Sequence, residues 1–66
     1  MLIKVNNALV HPMLFRISMI EGVSVEVSEE IVGFSIEKDG EEVTSGESRR
    51  DFHFALRDLM RELRSS

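Results

Sequence analysis

The sequence predicts a small α+β domain, in which a four-stranded antiparallel β-meander carries one C-terminal α-helix on one face. Three observations lead to this fold class. Apolar and polar residues alternate over most of residues 13–45, as they do in strands that bury one face. Turn-forming residues interrupt the alternation at short intervals. After Gly46 the apolar spacing changes to three and four residues, which is the spacing of an amphipathic helix.

The segment 1–11 is separated from the rest by Pro12, the only proline in the chain. Its apolar stretches, 2–5 and 8–10, flank two asparagines, a residue type that tolerates the left-handed backbone conformation. We therefore expect this segment to form a fifth strand, a tight hairpin or an extended arm.

The first two strands of the meander are predicted at residues 13–19 and 23–27. A three-residue loop that ends in Gly22 suits a type I turn with a bulge and joins them as a hairpin. In this register the apolar residues share one face, and Arg16 lies opposite Glu26 on the other.

The third strand follows a four-residue turn at residues 28–31. This turn length places Val25 opposite Phe34, so the apolar face continues across the sheet. Phe34 is then expected to be buried under the helix, in contact with Leu56 or Leu59.

The fourth strand follows the clearest turn in the sequence, residues 38–41. An Asp-Gly pair occupies the two positions where a type I′ turn requires positive φ. The resulting hairpin pairs Ile36 with Val43 and Glu37 with Glu42.

The C-terminal helix is predicted over residues 49–64. Ser48 is the expected N-cap, and Asp51 occupies the third helical position, as in a capping box. At about 100° per residue, one apolar stripe faces the sheet. It comprises Phe52, Ala55, Leu56, Leu59 and Leu63, with Met60 at its margin.

Charge is unevenly distributed along the chain, whose net charge is −4. Residues 1–48 carry three basic and nine acidic side chains, whereas residues 49–66 carry five arginines and three acidic side chains. Most of these arginines project from the side of the helix opposite the core stripe: Arg50, Arg57, Arg61 and Arg64. The helix is thus expected to present a basic face.

Phe54 projects into this basic face, away from the predicted core. It could be an isolated exposed aromatic, shielded by guanidinium groups. It could be part of a protein interface, most simply a dimer seam, because aromatics and arginines are enriched at interfaces. It could also stack on a nucleic-acid base.

A second interface is expected at the edge of the meander. The predicted strand at residues 13–19 is long and apolar, so either the segment 2–10 or a second copy should cover it. Met13 and Phe15 are therefore interface candidates, together with Phe54 and the four arginines of the helix.

No pattern in the chain predicts catalysis. His11 lies beside Pro12 in an expected loop and His53 at the edge of the apolar stripe, and neither has a partner at metal-ligand spacing. There is no cysteine and no nucleophile motif. We predict no enzymatic activity, no catalytic residue, no metal, no cofactor and no small-molecule substrate.

The sequence also predicts a cytoplasmic protein without membrane contacts. No apolar run approaches the about 20 residues that a membrane-spanning helix needs. The N-terminus does not resemble a signal peptide.

Three hypotheses for function follow. The first is a small protein-binding module that we expect to be a homodimer, since domains of this size without disulfides or metals often associate. The second is a small nucleic-acid-binding regulator that uses the arginine face of the helix; the predicted open sheet face is acidic to neutral and would repel phosphates. The third is an acidic inhibitor, of the kind that mobile elements encode, which occupies the basic groove of a host nucleic-acid enzyme.

Overall fold

A computed structural model of the chain describes residues 1–65 and has two layers, a four-stranded mixed sheet and two helices that cover one of its faces. The α+β class is confirmed, whereas the all-antiparallel meander and the single helix are wrong. The strands run in the spatial order β2-β1-β3-β4. The elements are β1 (Leu2–Asn6), a 3₁₀ turn (Asn7–Leu9), α1 (Pro12–Ser18), β2 (Ser24–Ser28), β3 (Phe34–Lys38), β4 (Glu41–Gly46) and α2 (Arg49–Ser65).

The N-terminal segment forms a central strand rather than a hairpin or an arm. β1 runs parallel to β2 and antiparallel to β3. Its side chains Ile3 and Val5 are fully buried, which explains why the strand occupies the middle of the sheet. Asn6 ends it, and its side-chain oxygen accepts a hydrogen bond from the backbone N–H of Ala8 at 2.8 Å.

The predicted first strand, residues 13–19, is wrong, because residues 13–18 belong to α1. Pro12 occupies the first turn of the helix, where its missing N–H costs nothing. The Nδ1 atom of His11 caps the helix by accepting the backbone N–H of Met13 at 3.0 Å. Leu14 and Ile17, one turn apart, are buried, so the helical spacing determined the fold and the two-residue alternation did not.

This helix changes the strand pairing throughout the first half. The chain crosses from β1 through α1 to β2, so β2 lies parallel to β1, with Ile3 opposite Val25. The predicted pairing of residues 13–19 with 23–27 therefore does not form. The predicted pairing of Val25 with Phe34 is also wrong, because β1 separates their strands.

The predicted hairpin between β3 and β4 is confirmed. Asp39 and Gly40 have φ values of 51° and 81°, the positive values that a type I′ turn requires. Glu37 lies opposite Glu42 as predicted, but Ile36 faces Thr44 because the register shifts at this point. The predicted pairing of Ile36 with Val43 is therefore wrong.

α2 follows the prediction closely. The hydroxyl of Ser48 accepts the backbone N–H of Asp51 at 3.0 Å, as expected for an N-cap. Phe34 is buried, and its ring lies 4.8 Å from that of Phe52 between centroids. One core joins the sheet to both helices: Ile3, Val5, Leu14, Ile17, Phe34, Ile36, Phe52, Leu56 and Leu59.

The other face of the sheet carries mainly polar side chains. Strand alternation places Glu26, Ser35 and Glu37 on this open face, together with Lys4 from β1. Lys4 lies 3.5 Å from Glu37 in an ion pair. Arg16, which was predicted to lie on the open face, belongs instead to α1 in the helical layer.

Candidate binding surface

A groove between α1 and α2 contains most of the arginines of the predicted basic face, namely Arg57, Arg61 and Arg64. Its volume is about 230 Å³. Four arginines and two methionines line it: Met13, Arg16, Arg57, Met60, Arg61 and Arg64. We call this feature the arginine groove.

The core contacts of the two helices determine which side chains reach the arginine groove. In α1, burial of Leu14 and Ile17 turns Met13 and Arg16 toward α2. In α2, burial of Leu56 and Leu59 turns a neighbouring stripe of side chains toward α1. Residues spaced by three and four positions share one side of a helix. The stripe comprises Arg57, Met60, Arg61 and Arg64.

The guanidinium groups of the arginine groove have no carboxylate partner within the described part of the chain. The ion pairs found in residues 1–65 join Lys4 to Glu37 and Lys38 to Glu62. Neither includes an arginine. The groove therefore concentrates positive charge that the fold itself does not neutralise.

Phe54 lies beside the arginine groove and is 45% exposed. The guanidinium carbons of Arg50 and Arg57 lie 5.8 Å and 5.9 Å from the centre of its ring. The ring of His53 approaches it edge-on at 5.6 Å between centroids. Arg57 therefore belongs both to this aromatic cluster and to the groove, and it links the two into one surface.

The two α1 candidates point in different directions. Met13 is half-buried, packs against the core and lines the arginine groove. Phe15 is 64% exposed. At about 100° per residue it projects from the flank of α1 that faces away from α2. The structure thus separates Phe15 from the other candidate site residues, and it removes the edge strand for which Met13 and Phe15 were proposed.

Two residues of the groove differ from their predicted roles. The two-residue alternation of residues 13–19 predicts a strand, which would put Arg16 on the open sheet face. The helical spacing of α2 predicts Met60 only at the margin of the core stripe. The signal for Arg16 was present in the chain, since Pro12 marks a helix start and Leu14 and Ile17 have helical spacing.

A hydrogen bond between two histidines ties the start of α1 to α2. Nε2 of His11 and Nδ1 of His53 are 3.0 Å apart, and both rings are half-buried. Because Nδ1 of His11 already accepts the N–H of Met13, the ring proton of a neutral His11 sits on Nε2 and is donated to His53. This hydrogen-bond pattern corresponds to the Nε2–H tautomer of both rings. We call this contact the histidine clasp.

Within residues 1–65, no three side chains of the His, Cys, Asp or Glu type come together in a way that could hold a metal ion. Over the same range, no helix has the length and apolar character needed to cross a membrane.

Comparison of the chain with protein-family models, with curated proteins and with solved structures finds no match.

Proposed function

We propose that the chain is a small, non-enzymatic protein-binding module whose helical layer is the binding face. The observation that carries this proposal is the arginine groove, in which four arginines from two helices lack a carboxylate partner in the described residues. The exposed Phe54 lies beside it. Arginine and aromatic side chains are enriched at protein interfaces and contribute much of their binding energy.

The charge of the groove favours a different protein over a second copy at this surface. A two-fold dimer places the same patch against itself. Such a dimer would face four arginines with four arginines, and like charges across an interface cost several kcal/mol. A homodimer remains part of the proposal only through another surface, such as the exposed Phe15 on the far flank of α1.

Protein is also favoured over nucleic acid. The ring of Phe54, the best candidate for base stacking, is already approached by Arg50, Arg57 and His53. The net charge of −4 would repel a long polyanion outside the groove. The acidic-inhibitor hypothesis requires negative charge on the open sheet face. On that face the carboxylate of Glu37 is already paired with Lys4.

Site-specific cross-linking tests the binding face. The photoreactive residue benzoylphenylalanine replaces Phe54 in one variant and the exposed loop residue Val32 in a matched control. We expect a discrete adduct with another protein from the position 54 variant only. Addition of unlabelled chain should compete with it, and addition of a Phe54→Ala chain should compete less well.

Three results would contradict the proposal. Adducts of twice the monomer mass would indicate self-association through the helical layer. Adducts removed by nuclease would indicate nucleic-acid binding. Equal adduct yields at positions 54 and 32 would mean that the helical layer is not a specific binding face.

A further inference from the structure

We infer that the arginine groove binds a short acidic segment of a partner protein, with one apolar side chain of that segment resting on Met13 and Met60. The inference rests on the proposed function, because it assumes that the helical layer is the binding face. It goes further in naming the chemistry of the ligand.

The anionic character of the ligand follows from charge complementarity. Arg16 approaches from α1, and Arg57, Arg61 and Arg64 from α2, so positive charge lines both walls of the groove. A guanidinium presents a planar set of N–H donors that matches a carboxylate in a two-bond geometry. Carboxylates bound there would also relieve the repulsion among the arginines.

The apolar contact follows from the floor of the groove. Met13 and Met60 are both half-buried and pack against the core cluster, so they are held in place from below. Methionine adapts its shape to different apolar partners. An acidic segment with an aliphatic residue among its carboxylates therefore uses both kinds of lining, whereas a purely anionic ligand uses only the arginines.

The dimensions favour a short peptide. Arg57 and Arg64 are seven residues apart in α2, which corresponds to about 10.5 Å along a helix. An extended peptide covers that length with about three residues. The volume of about 230 Å³ lies below the roughly 300–1,000 Å³ typical of small-molecule pockets. It suits a few side chains better than a cofactor.

The test uses the full chain, labelled with ¹⁵N and with ¹³C in the methionine methyl groups. Two end-blocked pentapeptides serve as probes: Glu-Glu-Leu-Glu-Glu and Glu-Glu-Ser-Glu-Glu. We expect the leucine peptide to shift the methyl signals of Met13 and Met60 and the guanidinium N–H signals of the groove. It should bind about fivefold more tightly than the serine peptide, and binding should weaken as salt is raised.

A charge reversal in the groove supplies the matched comparison. Arg61→Glu should weaken binding of the leucine peptide by about tenfold or more, the loss expected for a charge-assisted contact. Arg49→Glu makes the same charge change at an exposed position on the same helix, outside the groove lining. It should change binding by less than about twofold. Thermal unfolding of both variants verifies that they fold.

Several outcomes would overturn the inference. Equal affinity of the two peptides would contradict the apolar contact with Met13 and Met60. Equal effects of Arg61→Glu and Arg49→Glu would contradict binding in the arginine groove. Tighter binding of a ten-residue oligothymidylate at the same residues would assign the groove to nucleic acid. A partner that cross-links at position 54 but tolerates Arg61→Glu would overturn this inference and leave the proposed function standing. Peptide binding without any cross-linked protein would contradict the proposed function, and with it the protein partner, while the affinity of the groove for acidic segments would stand.

Discussion

The two flanks of α2 enclose spaces of similar volume but differ in charge. The flank toward α1 is the arginine groove, of about 230 Å³, and the flank toward β4 is a cleft of about 250 Å³. Charges of both signs line the β4 cleft, where Lys38 pairs with Glu62. Its lining comprises Ile36, Lys38, Val43, Thr44, Ala55, Asp58, Leu59 and Glu62.

The β4 cleft contains an ion pair within the chain, whereas the arginines of the groove have no carboxylate partner in the described residues. In the β4 cleft the acidic side of α2 meets a lysine from the sheet, so the cleft contains an internal ion pair. In the arginine groove each charged side chain that lines the walls is positive. The helix therefore carries a side with an internal ion pair toward β4 and a basic side toward α1.

Truncation of the shared core should have the largest effect, because it removes the support of both flanks. Phe34 is buried against Phe52, and Phe34→Ala should cost about 3–5 kcal/mol, which approaches the total stability of a domain this small. Urea unfolding followed by circular dichroism measures the loss. Melting within a few degrees of the parent would contradict the position of Phe34 in the core.

Substitution of Gly33, which lies close to the end of β4, should destabilise the fold on the β4 side of α2. Gly33 has a φ of 66°, and a Cβ added there would lie 2.1 Å from the carbonyl oxygen of Gly46 at the end of β4. Gly33→Ala should therefore destabilise the chain by more than the about 1–2 kcal/mol that the left-handed conformation alone costs. Gly40→Ala is the matched control, since its φ is 81° but nothing lies within 4 Å of an added Cβ. Equal losses in the free energy of unfolding would contradict the close approach at Gly33.

Loss of the histidine clasp should destabilise mainly α1, because His11 also caps that helix. His11→Ala removes both the cap of α1 and the bond to His53, and it should cost about 0.5–2 kcal/mol. His53→Ala leaves the cap in place and should cost less, about 0.5–1.5 kcal/mol. Denaturant unfolding of both variants and of the double variant measures the coupling between the rings.

An independent measurement addresses the clasp without any substitution. Long-range ¹H–¹⁵N spectra at neutral pH should identify both imidazoles as Nε2–H tautomers, since each Nδ1 accepts a hydrogen bond. An Nδ1–H signal from either ring would mean that the hydrogen bonds run differently from those described. If the losses of the two single variants add up in the double variant, the two rings do not interact.

The smallest effect on stability is expected from the ion pair of the β4 cleft. Glu62→Gln removes the partner of Lys38 near the surface, where such pairs contribute about 0.2–1 kcal/mol. It should leave binding of the leucine pentapeptide unchanged within about twofold, in contrast to Arg61→Glu one residue before it. Isothermal titration calorimetry with the leucine pentapeptide measures the affinities of the parent, Glu62→Gln and Arg61→Glu chains. A large loss of binding in Glu62→Gln would mean that the two flanks of α2 act as one surface.

Local sequence determined the second half of the fold. The Asp39-Gly40 turn and the Ser48 cap specify their own backbone conformations through positive φ and a side-chain hydrogen bond, and both form as predicted. The apolar spacing of α2 likewise determined its buried side. The cluster around Phe54, with Arg50 and Arg57, follows from the helical period alone.

Tertiary structure decided the first half and completed the candidate site. Residues 13–19 fit both a two-residue and a helical period, and burial of Leu14 and Ile17 in the shared core selects the helix. β1 became central because its two edges pair with β2 and β3, strands distant in sequence, which no local pattern encodes. Arg16 reaches the arginine groove only because α1 packs beside α2. A groove formed by two helices depends on contacts between distant residues, and local periodicity contains no information about such contacts.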